Sequence, residues 1–400
     1  MTAALTGHRT SAPPAHWPAA LSPECLEVID LPTPYLVTDL DVVADRHARF
    51  TAVLPGVRAF YAMKCNPSPE ILKTLAANGA GFEIASLGEL RMLQRQDIDP
   101  ADVLYSNPIK PPAHVAEAYS AGLWRFGFDS PNELAKIAEH APGAAVYIRL
   151  RVDDTESVFP LSRKFGADPA DAFDLMMLAR RLGLRPYGIT FHVGSQCGSP
   201  AAWRRAIGVS GELMTRLAGA GIELDMLDIG GGFPARYVAE VPSIQSIADT
   251  INPPLDELLP YRPALLAAEP GRHLVAESAV MAVGVIGREW RDHENWLFVD
   301  VGAYNGMMET LQTANRWDYP LWTSLPDHAD VPHVPFTVTG PSCDSSDTMF
   351  LNVLLPATIG VGDSLYIGSA GAYTLSYASA FNGFDPPTPL FVGTGSHGGN

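Results

Sequence analysis

A lysine that closes an apolar strand is the first residue whose placement invites chemistry. Lys64 follows Phe60-Tyr61-Ala62-Met63 and precedes Cys65-Asn66-Pro67. An amine at the end of a parallel strand stands at a barrel mouth, where partial burial is expected to depress its proton affinity and favour imine formation. A surface lysine capping a strand would look the same in isolation. The second signal is Asp228-Ile229-Gly230-Gly231-Gly232-Phe233-Pro234. Three glycines after a strand let backbone N–H groups approach an anion, and a phosphate is the obvious guest. A tight turn would use the same glycines, and the run has neither dinucleotide nor P-loop spacing.

Three further clusters sit at the ends of apolar runs. Glu269-Pro270-Gly271-Arg272 puts a carboxylate and a guanidinium three residues apart on a turn, where they can face one ligand or pair with each other. Phe191-His192-Val193-Gly194-Ser195 offers an imidazole to stack on a ring and a hydroxyl for a phosphate. Cys343, between Ser342 and Asp344, brings a thiol into an acidic turn and is a candidate proton donor near neutral pH. The bland readings are a structural histidine and a small packing cysteine. Gly371-Ala372-Tyr373 and Phe381-Asn382-Gly383-Phe384 lie near the C-terminus, where aromatic residues more often belong to a core.

The elements that must carry these residues can be read from periodicity. From Tyr35 to about residue 275, short apolar runs such as Gly81–Ile84, Ala145–Ile148 and Met226–Ile229 alternate with amphipathic stretches. Pro69–Asn78, Pro131–His140 and Ala170–Leu182 have helical patterns, and Ser130-Pro131-Asn132-Glu133 is a helix start. Strand–helix alternation over this length indicates parallel βα units, closing into a (β/α)8 barrel or forming a doubly wound open sheet. Beyond residue 276, strands such as Ala279–Ile286 and Ser364–Ile367 dominate between Gly, Pro and Asn turns. The expected organisation is a loose tail over 1–30, a barrel over 38–275, and a mostly β domain over 276–400 joined by a strand near 31–37.

Composition restricts the partners. Of 400 residues 47% are apolar and 18% charged, which is globular composition. The 44 acidic against 27 basic side chains give a formal charge of −17, which argues against a phosphate backbone as partner. The four cysteines form no CxxC pair or zinc-type cluster, so no metal is expected, and free thiols fit a reducing cytoplasm. No apolar run approaches the length of a membrane span, and the N-terminus lacks a signal-peptide core.

Taken in order, these motifs resemble the fold-type III pyridoxal-phosphate decarboxylases, the ornithine/diaminopimelate/arginine decarboxylase group, and most nearly its ornithine/lysine branch. The resemblance runs from about Thr33 to Phe384 and implies an alanine-racemase-like barrel followed by a β domain. It implies that Lys64 carries pyridoxal 5'-phosphate as a Schiff base, with Glu83 nearby where the ornithine branch usually has Asp. Arg149 is expected near the cofactor ring and His192 on its face. Ser195, Gly231, Gly232, Gly271, Arg272 and Tyr373 are expected at the phosphate end, and Glu269 at the pyridine nitrogen. Cys343 matches the proton donor to Cα. Asp344, with Tyr304, Thr313 and Phe381, is expected on the substrate side. The group's dimers share their active sites, and Lys164 with Asp347 matches a pair that bridges subunits.

One stretch departs from the pattern. Where ornithine decarboxylases carry Tyr-Asp-His-Ala, with the Asp holding the distal ammonium, this chain has Gln312-Thr313-Ala314-Asn315. Thr313 brings no charge, and an unpaired buried ammonium is costly. The expected reaction is decarboxylation of a basic or modified diamino acid, or of one whose distal group is modified or uncharged. A non-catalytic homologue would have lost cofactor residues that are kept here. A racemase would carry Arg where Glu269 stands.

Overall fold

The computed structural model describes residues 18–325 and 330–393. The chain divides into two compact units. One contains Ala44–Ala235 and Val241–Leu274; the other contains the chain up to Val43, Arg236–Glu240, and the chain from Val275 onward.

The first unit is a closed barrel of eight parallel strands, which removes the open sheet as an alternative. The strands are Val57–Ala62, Gly81–Ile84, Val103–Tyr105, Arg125–Phe128, Ala145–Leu150, Arg185–Phe191, Met226–Asp228 and Leu265–Ala268. A helix follows each, among them Pro69–Ala77, Leu87–Gln94, Pro131–His140 and Pro169–Arg181. Ser86 and Ser130 cap two of these helices with their hydroxyls, each accepting the N–H of a Glu three residues on. At Ser86 the arrangement is reciprocal, because Glu89 also accepts the Ala85 N–H at 2.5 Å.

The barrel interior is packed. Phe60, Leu104, Tyr147, Met226 and Ala267 form one buried cluster. Each large side chain removed from water there contributes roughly 1.5–3 kcal/mol. Strand register aligns Arg149 with Thr190, Thr190 with Asp228, and Asp228 with Ala267, so their side chains leave the barrel at one level. A register shift between Val146 and Tyr147 breaks the pairing just before Tyr147; such irregularities re-aim a side chain beside a site.

The second unit is built on an eight-stranded sheet. Its long strand Ala279–Arg291 pairs antiparallel with Tyr35–Asp39, and Tyr35–Asp39 also pairs parallel with Thr388–Val392. The loose tail expected over 1–30 lies outside the described residues up to residue 17. From there the chain is ordered differently: Ala19–Leu21 and Pro23–Glu27 are helical turns, and Leu21 and Leu26 are buried with Tyr35 and Trp322. Two leucines spaced to cover the sheet end account for this. Among the described residues, no helix is long and apolar enough to cross a membrane.

Candidate active site

Lys64 lies in a single turn, Met63–Cys65, at the end of its barrel strand. Glu83 ends the neighbouring strand, where Ala62 and Glu83 are register partners. The Lys64 Nζ donates to Glu83 Oε2 at 2.6 Å. The lysine stem keeps about 40% of its surface exposed, while the carboxylate is almost completely covered. Burial opposes the ammonium, but Glu83, Glu269 and the hydrogen bond outweigh it, so Lys64 is held above its ordinary range. The expected depression of Lys64 is therefore reversed in this state. Burial acts in the expected direction, but two carboxylates reach the same amine.

Glu269 follows the strand Leu265–Ala268 and is 7% exposed. Burial and the neighbouring Asp228 carboxyl push it up to about 8. Its Oε1 accepts a short hydrogen bond from the Ser106 hydroxyl, which lies 3.0 Å from Tyr147 OH. Asp228 accepts from Thr190 Oγ1 at 2.8 Å and from the Gly230 N–H at 2.9 Å. Arg149 is held below its usual value by burial, though Glu269 and Glu83 counter it. Burial, with Arg149 and Lys64, depresses His192 well below the usual imidazole range. Its Nδ1 accepts the Gly194 N–H at 3.0 Å, so the neutral ring carries its proton on Nε2.

The glycine run has no room for side chains. A Cβ on Gly230 would lie 1.8 Å from the Phe191 carbonyl oxygen, and Gly230 and Gly232 both have positive φ. A Cβ on Gly231 would lie 2.8 Å from His192 Nε2. One on Gly271 would stand 3.2 Å from the Cβ atoms of Ala62 and Cys65, so this turn packs tightly against the lysine turn. Arg272 is 4% exposed, and its Nε and a terminal nitrogen both point to Ser195 Oγ at 3.4 Å.

The second unit holds the remaining predicted residues except Lys164, which lies in the first. Tyr304 OH donates to Asp344 Oδ2 at 2.9 Å, and its ring packs 4.8 Å from Phe381. The Ser346 N–H and Tyr304 OH hold Asp344 below the usual carboxylate range. Cys343 donates its N–H and its Sγ–H to the Asn382 Oδ1, at 3.1 and 3.2 Å. Asn382 has a positive φ of 55°, a conformation asparagine tolerates. Thr313 ends the helix Met308–Gln312, and its hydroxyl lies within reach of the Glu309 and Thr310 carbonyls, its own helix end. Tyr373 also has positive φ and stacks on Tyr377 at 5.5 Å. Asp347, which the resemblance pairs with Lys164, is 1% exposed and inward-facing within this chain. Its Oδ1 accepts the Ala303 N–H at 2.7 Å and its Oδ2 the Ser342 N–H at 3.1 Å, which fixes the start of the Cys343 turn.

The family model for "Pyridoxal-dependent decarboxylase, pyridoxal binding domain" matches residues 40–276. The chain is 35% identical over 363 residues to the lysine/ornithine decarboxylase of Selenomonas ruminantium, covering 90% of each chain. The chain belongs to the pyridoxal-dependent decarboxylase family. Two solved structures share its fold. SrLDC in complex with PLP and cadaverine has a TM-score of 0.85 at 34% identity, with 93% of this chain and 94% of that one covered. The Paramecium bursaria Chlorella virus arginine decarboxylase bound to agmatine has a TM-score of 0.86 at 29% identity, covering 92% of this chain and 100% of that one.

The residues present fit pyridoxal phosphate, the cofactor of this decarboxylase. The barrel offers an amine for an aldehyde, side-chain-free glycines beside a guanidinium and a hydroxyl for a phosphate, and a buried carboxyl for a ring nitrogen. Sequence reading missed Ser106, Tyr147 and Asp228, which the structure gathers around Glu269, and Asn382 and Asp347 as supports of the Cys343 turn. Asp228 stood in view directly before the glycines. Ser106 and Tyr147 carry no local signal, because only barrel closure brings them to Glu269.

Proposed function

We propose that this decarboxylase removes the Cα carboxyl group of a basic amino acid, a diamino acid of the ornithine or lysine type, to give the corresponding amine. The observation that carries this reading is the pairing of Lys64 with Glu83 among the buried carboxyls Glu269 and Asp228. Lys64 would hold the cofactor through Nζ. Arg272, Ser195 and the backbone at Gly231, Gly232 and Gly271 would hold its phosphate, aided by Tyr373. His192, neutral and fixed by Gly194, would cover the ring face, and Arg149 and Glu83 would line the ring edge.

Pyridoxal phosphate supplies, when bound, a sink for the electron pair left at Cα as CO2 departs. The chain's own residues do the rest. Glu269 keeps a proton at the ring nitrogen. Glu83 and Lys64 together hold a proton beside the incoming amine. Cys343 Sγ delivers a proton to Cα, and Asn382 Oδ1 aims that thiol. Asp344 takes the distal cation, with Tyr304 and Phe381 as pocket walls. The reading includes a homodimer with shared sites, in which Cys343 and Asp344 of one subunit complete the site of the other. A working thiol at Cys343 suits a reducing, cytoplasmic setting.

A second reading concerns the distal group. Thr313 adds no charge and turns its hydroxyl to its own helix, which leaves Asp344 to meet the substrate's far end with Tyr304. That favours a substrate whose distal group is modified or uncharged. The test incubates the holoenzyme with carboxyl-labelled ornithine, lysine, arginine and diaminopimelate, and with N-modified diamino acids. Released CO2 and the amine are measured by mass spectrometry. Efficient turnover of unmodified ornithine or lysine supports the first reading and rejects the second. Turnover of modified substrates alone does the reverse, and no CO2 from any of them overturns both.

A further inference from the structure

Glu269 does not stand alone under the cofactor site. Asp228 is fully buried on the neighbouring barrel strand: it pairs in register with Ala267, two residues before Glu269 and on the same face, and the Glu269 N–H donates to the Gly230 carbonyl at 2.8 Å. Two carboxyls set side by side can share a hydrogen bond only if one of them carries a proton. Both are removed from water, so ionising both in one apolar enclosure is disfavoured. The remaining contacts fix which atoms are engaged. Asp228 accepts from Thr190 Oγ1 at 2.8 Å and the Gly230 N–H at 2.9 Å, while Glu269 Oε1 accepts from Ser106.

We propose that Asp228 is a positioning residue for Glu269, and that the two carboxyls hold one shared proton, which moves to the ring nitrogen when the cofactor binds. In that step the carboxyl O–H bond breaks, an N–H bond forms, and the pair is left fully ionised against the cationic ring. The second carboxylate makes Glu269 a stronger partner for that ring than a lone glutamate would be. The inference deepens the decarboxylase reading and rests on it for the identity of the ring.

Other titratable groups act on this pair from the neighbouring strands. Lys64, Arg149 and His192 are the basic ones; Glu83 and Tyr147 are the acidic ones. Lys64 and Arg149 favour ionisation of the pair, while Glu83 opposes it. The shared proton therefore reflects the mutual repulsion of Asp228 and Glu269 together with their burial.

The test uses apoenzyme freed of cofactor and two substitutions, Asp228→Asn and Glu269→Gln. The amide of Asp228→Asn keeps one acceptor oxygen for the Gly230 N–H or the Thr190 hydroxyl and offers an NH2 donor to Glu269, so the side chain stays hydrogen-bonded while one charge is removed. Infrared spectra at neutral pH should show a buried carboxylic-acid carbonyl band in the parent apoenzyme. The band should vanish on adding pyridoxal phosphate, and it should be absent from either variant. With ring-15N cofactor, the nitrogen of Asp228→Asn should lose its proton at a pH lower by about one unit, a tenfold change in proton affinity.

No such band in the parent, or a band that survives in both variants, overturns the shared proton. A ring nitrogen that titrates identically in parent and Asp228→Asn overturns the role of Asp228. If Asp228→Asn fails to fold, Glu269→Gln alone decides the infrared result. A parent protein that forms no borohydride-trapped adduct at Lys64 would instead defeat the decarboxylase reading, while the apoenzyme spectrum still judges the carboxyl pair.

Discussion

The barrel unit and the β unit treat the polar residues expected to meet cofactor and substrate in opposite ways. In the barrel, Glu83, Glu269, Asp228 and Arg272 are each less than about a tenth exposed, and each is held by a barrel partner: Lys64, Ser106, Thr190 and Ser195 respectively. In the β unit, Cys343 is exposed and Asp344 half-exposed, and both rest on a few contacts to Asn382 and Tyr304. A site of the first kind is rigid before any ligand arrives, because each buried charge would be costly if displaced. A site of the second kind can change its residues without disturbing the core. That division suits a fixed cofactor chemistry combined with variable substrate choice, and Thr313 lies on the variable side.

The comparison can be broken most decisively at Lys64. Lys64→Ala should lower kcat/KM on the order of 10³-fold or more, and the absorbance band of the lysine-bound cofactor should disappear. Retention of that band would mean another amine anchors the cofactor. Cys343→Ala should cost about 10²-fold in kcat with cofactor affinity unchanged. A matching loss of cofactor affinity, measured by fluorescence titration, would show that the β unit is not separable from cofactor binding.

Asp344→Asn should raise KM for a diamino acid by about tenfold, with kcat and melting temperature little altered. A fall in kcat with KM constant would remove Asp344 from distal-group recognition. The smallest effect concerns pH. Glu269 binds its proton more tightly in the folded apoenzyme than in the unfolded chain, where its ordinary value is 4.5 against about 8 when folded. Its contribution is therefore full below pH 4.5 and is lost as pH rises toward 8. Melting curves of apoenzyme across that window should fall less steeply for Glu269→Gln than for the parent. Equal slopes would show that the carboxyl is not protonated in the fold.

Much of the barrel site was legible because its residues lie at strand ends next to recognisable turns. Lys64 closes Phe60–Met63, Glu269 follows an apolar run, and the glycines announce a place without side chains. Ser106 and Tyr147 were not legible. The two residues are 41 apart in sequence, and nothing local says that their hydroxyls meet. The inward place of Asp347 was not legible either, because the close approach of Gly302 and Gly340 folds the chain around it.

Residue types and their order along the chain are enough to set the chemistry class, because they admit few other uses. Apolar periodicity and helix caps at residues such as Ser86 and Ser130 likewise set the run of strands and helices. Only the tertiary structure decided that the strands close into a barrel. Closure depends on pairing the first and last strands, Val57–Ala62 and Leu265–Ala268, which are remote in sequence. It also decided the protonation pattern. Lys64 is held charged, His192 neutral, and Glu269 tied to Asp228, because each value depends on burial and on neighbours that the chain alone does not specify.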